Sequence, residues 1–332
     1  MSLLEVRNLH VWFDLPGGGE LHAVQDVSFG LDPGERVGLV GESGCGKTTA
    51  VLAVMGLLPP SATVAGEVLI DGDSVLTWGE ESVRPHRWTD VAMVFQGAMN
   101  ALNPVKTVEQ QIIEPIEFHH VAEDADARAQ AGQLLEMVGI ARTAGSRYPH
   151  EFSGGMRQRA ALAMALACQP KVLLADEPTT ALDVMVQAQI LELLVGLCDE
   201  LGLALVLVTH DLPVVAQVCD RATVMYAGEI VESGPIDDLF HIPRHPYTRL
   251  LFAATPDLYG DAEVVSIPGA PPRLDREIIG CPFQPRCDRA FDRCAAERPS
   301  LKTVVVNHTA ACHLNDLPGR NLDVSEEAGS ST

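Results

Sequence analysis

Over the first thirty residues, apolar side chains alternate with polar ones. Leu4 and Val6, then Val24, Val27 and Phe29, flank the turn-rich stretch Pro16 to Gly19. That alternation predicts two half-buried strands. Short unbroken apolar runs follow at Val37 to Val40, Val91 to Phe95, Val172 to Ala175 and Leu203 to Thr209. Runs of this length predict strands covered on both faces. With helical patterns between them, they imply a mainly parallel sheet sandwiched by helices. From about residue 104 to 169 the pattern is helical with no comparable run, which predicts a helical insertion into an α/β core.

Prolines at 243, 246, 256, 268, 271 and 272 mark a change of composition. They divide the chain into a domain over 1–255 and a smaller C-terminal extension over 256–318. The last residues, 319–332, have almost nothing to bury and are expected to be a disordered tail. The 332 residues carry 23 Lys plus Arg against 45 Asp plus Glu, a net charge of −22. Phosphate neutralisation needs clustered cations, so this balance argues against a nucleic-acid partner. No apolar stretch approaches the roughly 18 residues of a membrane helix, and the N-terminus lacks an export pattern, so the expected compartment is the cytosol. There, eight cysteines are expected as thiols or metal ligands rather than disulfides.

Candidate chemistry begins at Gly41-Glu-Ser43-Gly44-Cys45-Gly46-Lys47-Thr48, followed by Thr49. This is the pattern G-x4-G-K-[ST] between a buried strand and a helix (Thr48 to Leu58), the setting a phosphate-binding loop requires. Its glycines let backbone N–H groups turn inward at a helix N-terminus; Lys47 reaches the β- and γ-phosphates and the Thr48 hydroxyl holds Mg²⁺. Cys45 fills a variable position and reads as a small packing residue. Downstream, Val172 to Ala175 ends in Asp176 and Glu177. A buried strand with Asp at its C-terminal end delivers a carboxylate to the magnesium edge of a nucleotide, and the next acid reaches an attacking water.

Phe152-Ser153-Gly154-Gly155-Met156-Arg157-Gln158-Arg159 precedes that strand and opens a helical run to Cys168. It resembles the LSGGQ signature of the ATP-binding-cassette (ABC) superfamily. Gln96 resembles the Q-loop glutamine, Ala181-Leu182-Asp183 the D-loop and His210 the switch histidine; Phe13 stands where the family places an aromatic ring on adenine, with Trp12 as the alternative. The resemblance implies an ABC-type P-loop ATPase: a parallel-sheet core, an antiparallel β subdomain and a helical subdomain. It also implies ATP and Mg²⁺ as ligands, with Thr48, Gln96 and Asp176 on the metal. Glu177, His210 and Lys47 would be catalytic, and Ser153, Gly154, Gly155 and Met156 would serve the nucleotide held by an opposite subunit. The chain departs from the signature at Met156 and Phe152, which puts a side-chain role at Met156 in question.

FSGGMRQR, ADEPTTALDV, VMYAGEIVE, HPYT (His245 to Thr248) and CPFQPRC (Cys281 to Cys287) further resemble the D-type ATPase of dipeptide/oligopeptide importers. So does the stretch Gly97 to Pro104, although Gly97 stands where aspartate is usual. The implied partners are an F-type ATPase chain, two membrane permease subunits and an extracytoplasmic substrate-binding protein, at the cytoplasmic face of the membrane. Related ATPases serve nickel, glutathione or oligosaccharide import, and soluble ABC ATPases also exist, so those remain alternatives. Cys281, Cys287, Cys294 and Cys312 are spaced C-x5-C-x6-C-x17-C. Tight pairs typical of structural zinc are missing. The wide spacing, together with the importer resemblance, favours a [4Fe–4S] cluster in a structural role, with zinc or free thiols as the other readings.

Overall fold

The computed structural model describes residues 2–75, 80–97, 101–180, 182–254, 267–276 and 278–317. From the N-terminus, β1 (Leu4–Asp14) and β2 (Glu20–Leu31) form a hairpin, and β3 (Arg36–Val40) feeds α1 (Lys47–Val54). After β4 (Ala62–Ile70), β5 (Asp73–Ser74), α2 (Glu80–Val83) and β6 (Val91–Val94), the chain turns helical: α3 (Val108–Phe118), α4 (Asp124–Met137) and α5 (Gly154–Ala165). Then β7 (Val172–Asp176), α6 (Val184–Leu201), β8 (Ala204–Thr209), α7 (Leu212–Val218) and β9 (Arg221–Tyr226) alternate. The C-terminal part adds β10 (Glu229–Pro235), α8 (Ile236–His241), α9 (Pro246–Ala253), α10 (Asp292–Ala296), β11 (Lys302–Val305) and β12 (His308–Ala310).

One sheet is antiparallel in the order β2-β1-β4-β5; the other runs β11-β12-β10-β9-β3-β8-β7-β6. Strands β9, β3, β8, β7 and β6 are mutually parallel. Their side chains divide by the two-residue period of a strand. Leu173 and Ala175 of β7, with Leu205 and Leu207 of β8, face the core beneath the helical insertion. Val172, Leu174, Ala204, Val206 and Val208 face the second core, shared with α1 and the antiparallel sheet. Burial on both faces explains why these strands read as continuous apolar runs rather than alternating ones.

Helices α3, α4 and α5 lie between β6 and β7. Thr107 caps α3 through a capping box with Gln110, and Ile112, Ile116, Leu134 and Leu135 bury the inner surface of α3 and α4. Helix α1 is shorter than expected, ending at Val54, because Gly56 takes a left-handed φ of 60° and closes the turn. The signature helix runs Gly154–Ala165, stopping earlier than the expected run to Cys168.

The C-terminal residues are not a detached lobe. Strand β12 pairs antiparallel with β10, Glu232 opposite Ala310, extending the central sheet. Glu232 is fully buried; it accepts backbone N–H groups of Arg244 and His245 and lies 2.7 Å from His308 Nε2. Such a carboxylate is tolerable in a core only because its lone pairs are filled. The expected boundary near residue 255 and the tail 319–332 lie outside the described residues. Among the described residues no helix is long and apolar enough to cross a membrane.

Candidate functional site

Parallel strands end on one edge, and that edge gathers the candidate chemistry. The loop Gly41 to Gly46 follows β3, Asp176 closes β7, His210 follows β8, and Gln96 comes two residues after β6. Gly41, Gly44 and Gly46 adopt φ of 150°, 80° and 105°, a region L side chains avoid. At Gly46 a Cβ would also stand 2.6 Å from the Ala23 carbonyl oxygen. Lys47 is buried, and its ammonium donates to the carbonyls of Gly41 (2.7 Å) and Glu42 (3.1 Å). Cys45 is buried beside it, in agreement with a packing role. Burial pushes its thiol up.

The Thr48 hydroxyl donates to Asp176 Oδ1 at 3.2 Å. Asp176 is 1% exposed and its Oδ2 has no hydrogen-bond partner. Burial raises its pKa, and the neighbouring Glu177 charge adds to this against the Thr48 bond and Lys47. A buried carboxylate oxygen left unpaired, beside a threonine hydroxyl, suits a divalent cation: hard oxygen donors, with the charge deficit the ion would fill. Gln96 does not join this pair. Its Nε2 donates to Glu177 Oε2 at 2.9 Å.

Glu177 is the hub. His210 Nδ1 lies 2.8 Å from its Oε1, and the Thr180 hydroxyl donates to its Oε2 at 2.9 Å. An ionised carboxylate only accepts, so His210 Nδ1 is the donor of this pair. Glu177 itself takes a left-handed φ of 45°, held by its N–H donating to the Val208 carbonyl at 2.8 Å. Backbone strain of this kind persists where surrounding bonds over-determine it. Burial pushes the Glu177 carboxyl up. The hydrogen bonds from His210 and Thr180, the His210 charge and the Gln96 bond outweigh that and hold its pKa below the ordinary value. Thr180 is the hub residue that sequence reasoning missed; its signal was its place three residues beyond Glu177.

Phe13 is half-buried against the same core as Cys45, Ala50 and Val51, on the phosphate-loop side of β1. Trp12 instead stacks with the rings of His10 (5.3 Å) and His22 (4.6 Å). The side-chain hydrogen bonds of Glu177 come from Gln96, Thr180 and His210 and not from the signature residues. Ser153 caps α5 through Met156 N–H, and Met156 packs against the core. Asp183 caps α6 through Val186 N–H at 3.0 Å. A Cβ on Gly155 would meet Val186 at 2.6 Å, so the signature glycine and the D-loop helix require one another's shape. Ala181, and Ala98 to Asn100 of the Q-loop stretch, lie outside the described residues.

Cys281, Cys287, Cys294 and Cys312 line one small cavity of about 10 Å³, with His313, Phe283 and Leu314 among the other walls. That is about the room of one water-sized sphere. Burial raises the Cys281, Cys287 and Cys312 thiols, against backbone N–H groups that hydrogen-bond to each sulfur. The expected metal geometry is not met: among the described residues, no three His, Cys, Asp or Glu side chains are placed to hold an ion.

Comparison with known proteins agrees with this architecture. Residues 24–180 match the family ABC transporter, and residues 231–294 match the oligopeptide/dipeptide transporter C-terminal region. The chain is 46% identical to a probable peptide ABC transporter ATP-binding protein of Sinorhizobium fredii, over 93% of this chain and 94% of that one. It is 44% identical to the oligopeptide transport ATP-binding protein OppD of Escherichia coli (94% and 93%). With the dipeptide transport ATP-binding protein DppD of Bacillus subtilis it shares 44% (98% and 99%). Among solved structures, a dimeric post-hydrolysis state of the ATP-binding cassette MJ0796 bound to ADP and Pi superposes with a TM-score of 0.62. The two are 29% identical, over 70% of this chain and 98% of that one. With both family matches, and relatives matched along nearly their whole length, the chain belongs to the ABC transporter ATP-binding proteins of the oligopeptide/dipeptide group.

Proposed function

We propose that this chain is the ATP-hydrolysing subunit that energises import of di- and oligopeptides, working at the cytoplasmic face of the membrane through two permease subunits. The observation that carries this reading is the oligopeptide/dipeptide C-terminal match at residues 231–294, on a chain that also holds the complete Glu177 hub. An extracytoplasmic binding protein would deliver the peptide, and an F-type ATPase chain would supply the second cassette. Phe13 would stack on adenine. The backbone of Gly41, Ser43, Gly44, Cys45 and Gly46, with Lys47 and Thr49, would cradle the phosphates. Ser153, Gly154 and Gly155 would close on the nucleotide of the opposite subunit, and Asp183 would hold the α6 end of that interface.

Thr48 and Asp176 would hold Mg²⁺, with Gln96 reorienting from Glu177 to join them. The ion supplies charge to offset the phosphate oxygens. Hydrolysis then depends on what Glu177 and His210 do. Glu177, ionised and oriented by Thr180 and His210, would accept a proton from the attacking water, while His210 would contact the γ-phosphate and orient that water. Purified with its permease subunits in vesicles, the assembly is expected to couple ATP hydrolysis to uptake of a labelled peptide. Uptake suppressed by nickel, glutathione or an oligosaccharide instead of by unlabelled peptide would reassign the cargo. Full ATPase activity with no membrane partner in co-purification would favour a soluble ATPase.

The four C-terminal thiols are proposed to bind a [4Fe–4S] cluster that orders the surrounding loop. The support is their convergence on one cavity, with backbone N–H groups on three of the sulfurs. Protein purified without oxygen is expected to contain about four irons and four acid-labile sulfides per chain, both lost in Cys287→Ser. About one zinc with no sulfide would assign a tetrahedral zinc site instead.

A further inference from the structure

The phosphate loop carries an acid, Glu42, at its second position. A free carboxylate beside a triphosphate repels it, and this one is not free. Arg286 grips both of its oxygens, Nη1 to Oε2 at 2.7 Å and Nη2 to Oε1 at 2.9 Å. This is the two-pronged geometry only arginine can offer. The Arg286 side chain is 4% exposed. Its Nε donates to the Pro268 carbonyl at 2.8 Å and Nη1 to the Tyr226 hydroxyl at 3.3 Å, and its guanidinium carbon lies 5.8 Å from the rings of both Tyr226 and Phe283. The main chain of Glu42 is held from the same side: its N–H donates to the Tyr247 hydroxyl at 2.9 Å, and the Tyr247 ring stands 4.6 Å from Tyr226 and 5.3 Å from Phe283. The Glu42 carbonyl in turn accepts from Lys47. The Glu42 peptide is therefore where the catalytic lysine and the C-terminal aromatic cluster meet.

We propose that Arg286 is a positioning residue for nucleotide binding: it neutralises Glu42 and fixes the start of the phosphate loop, so a side chain 244 positions downstream sets ATP affinity. This rests on the reading that the loop holds the phosphates of ATP. The test measures the MgATP Kd by calorimetry, with KM and kcat, for the wild type, Arg286→Ala, Arg286→Lys, Glu42→Gln and the double variant Glu42→Gln/Arg286→Ala. Arg286→Ala exposes an unpaired acid to the phosphates and is expected to weaken affinity about tenfold, with KM rising more than kcat falls. Adding Glu42→Gln removes that acid and is expected to restore most of the loss, a rescue that lost packing alone would not produce. Arg286→Lys keeps the charge without the fork and is expected to fall between wild type and alanine. It also carries the test if the alanine variant does not fold.

Affinity of Arg286→Ala (or of Arg286→Lys, where that variant carries the test) within about twofold of wild type, or a double variant as weak as the single, overturns the positioning role. A wild type without measurable MgATP affinity overturns the nucleotide reading itself, and the inference with it.

Discussion

Glu177→Gln is expected to bind MgATP with affinity near that of the wild type while hydrolysing it roughly 10²- to 10⁴-fold more slowly. The amide preserves the size of the side chain and can still accept from Gln96, Thr180 or His210, which surround Glu177 within 2.9 Å. What it loses is the negative charge that accepts a proton from water. Single-turnover hydrolysis measured beside nucleotide binding separates the two effects: a slow step with intact binding places the loss in the transition state. Near-normal turnover would move the base role away from Glu177 and leave its three contacts as structural. His210→Ala is the natural comparison, because it removes one donor and leaves the carboxylate in place.

Much of this arrangement is legible in the chain itself, for a physical reason. Strands β3, β6, β7 and β8 are buried on both faces, so they can only be written as apolar runs, and the residues that end them fall on one edge by parallel topology. Gly41 to Thr48 is legible because positive φ and close carbonyl approach exclude nearly every residue but glycine. Strand β4 is harder: Ala62–Ile70 buries only Val68 and Ile70 and breaks its alternation at Gly66, which takes a left-handed φ against the Asn8 carbonyl. The extension of the central sheet by β12 is invisible in composition, since it depends on Glu232 finding its donors from residues 244, 245 and 308. The Arg286 to Glu42 pair has no local pattern at all. A lone arginine between two cysteines reads as solvent-facing until the fold brings an acid to it.

The second large effect is expected at Asp176, where stability and function pull in opposite directions. Its Oδ2 is buried and unpartnered, and burial raises its pKa, so the folded state holds the Asp176 proton more tightly than the unfolded chain does. For an acid shifted upward, stability is lost as pH rises through the raised value, and at neutral pH the ionised group destabilises the fold. Asp176→Asn removes that charge and still offers Thr48 an acceptor. Without nucleotide or magnesium, the variant is expected to melt ~1–3 °C above the wild type near neutral pH. The gap should close in acid, where the wild-type carboxyl is neutral too. With MgATP present the order should reverse, because the ligand stabilises most the chain that binds it more tightly, the one with its metal ligand intact. Melting curves with and without MgATP across the pH range read both effects. A variant less stable under every condition would mean that Asp176 holds the fold together through contacts its charge does not explain, whereas the crossed pattern identifies a carboxylate kept in the core at a standing cost because the metal site requires it.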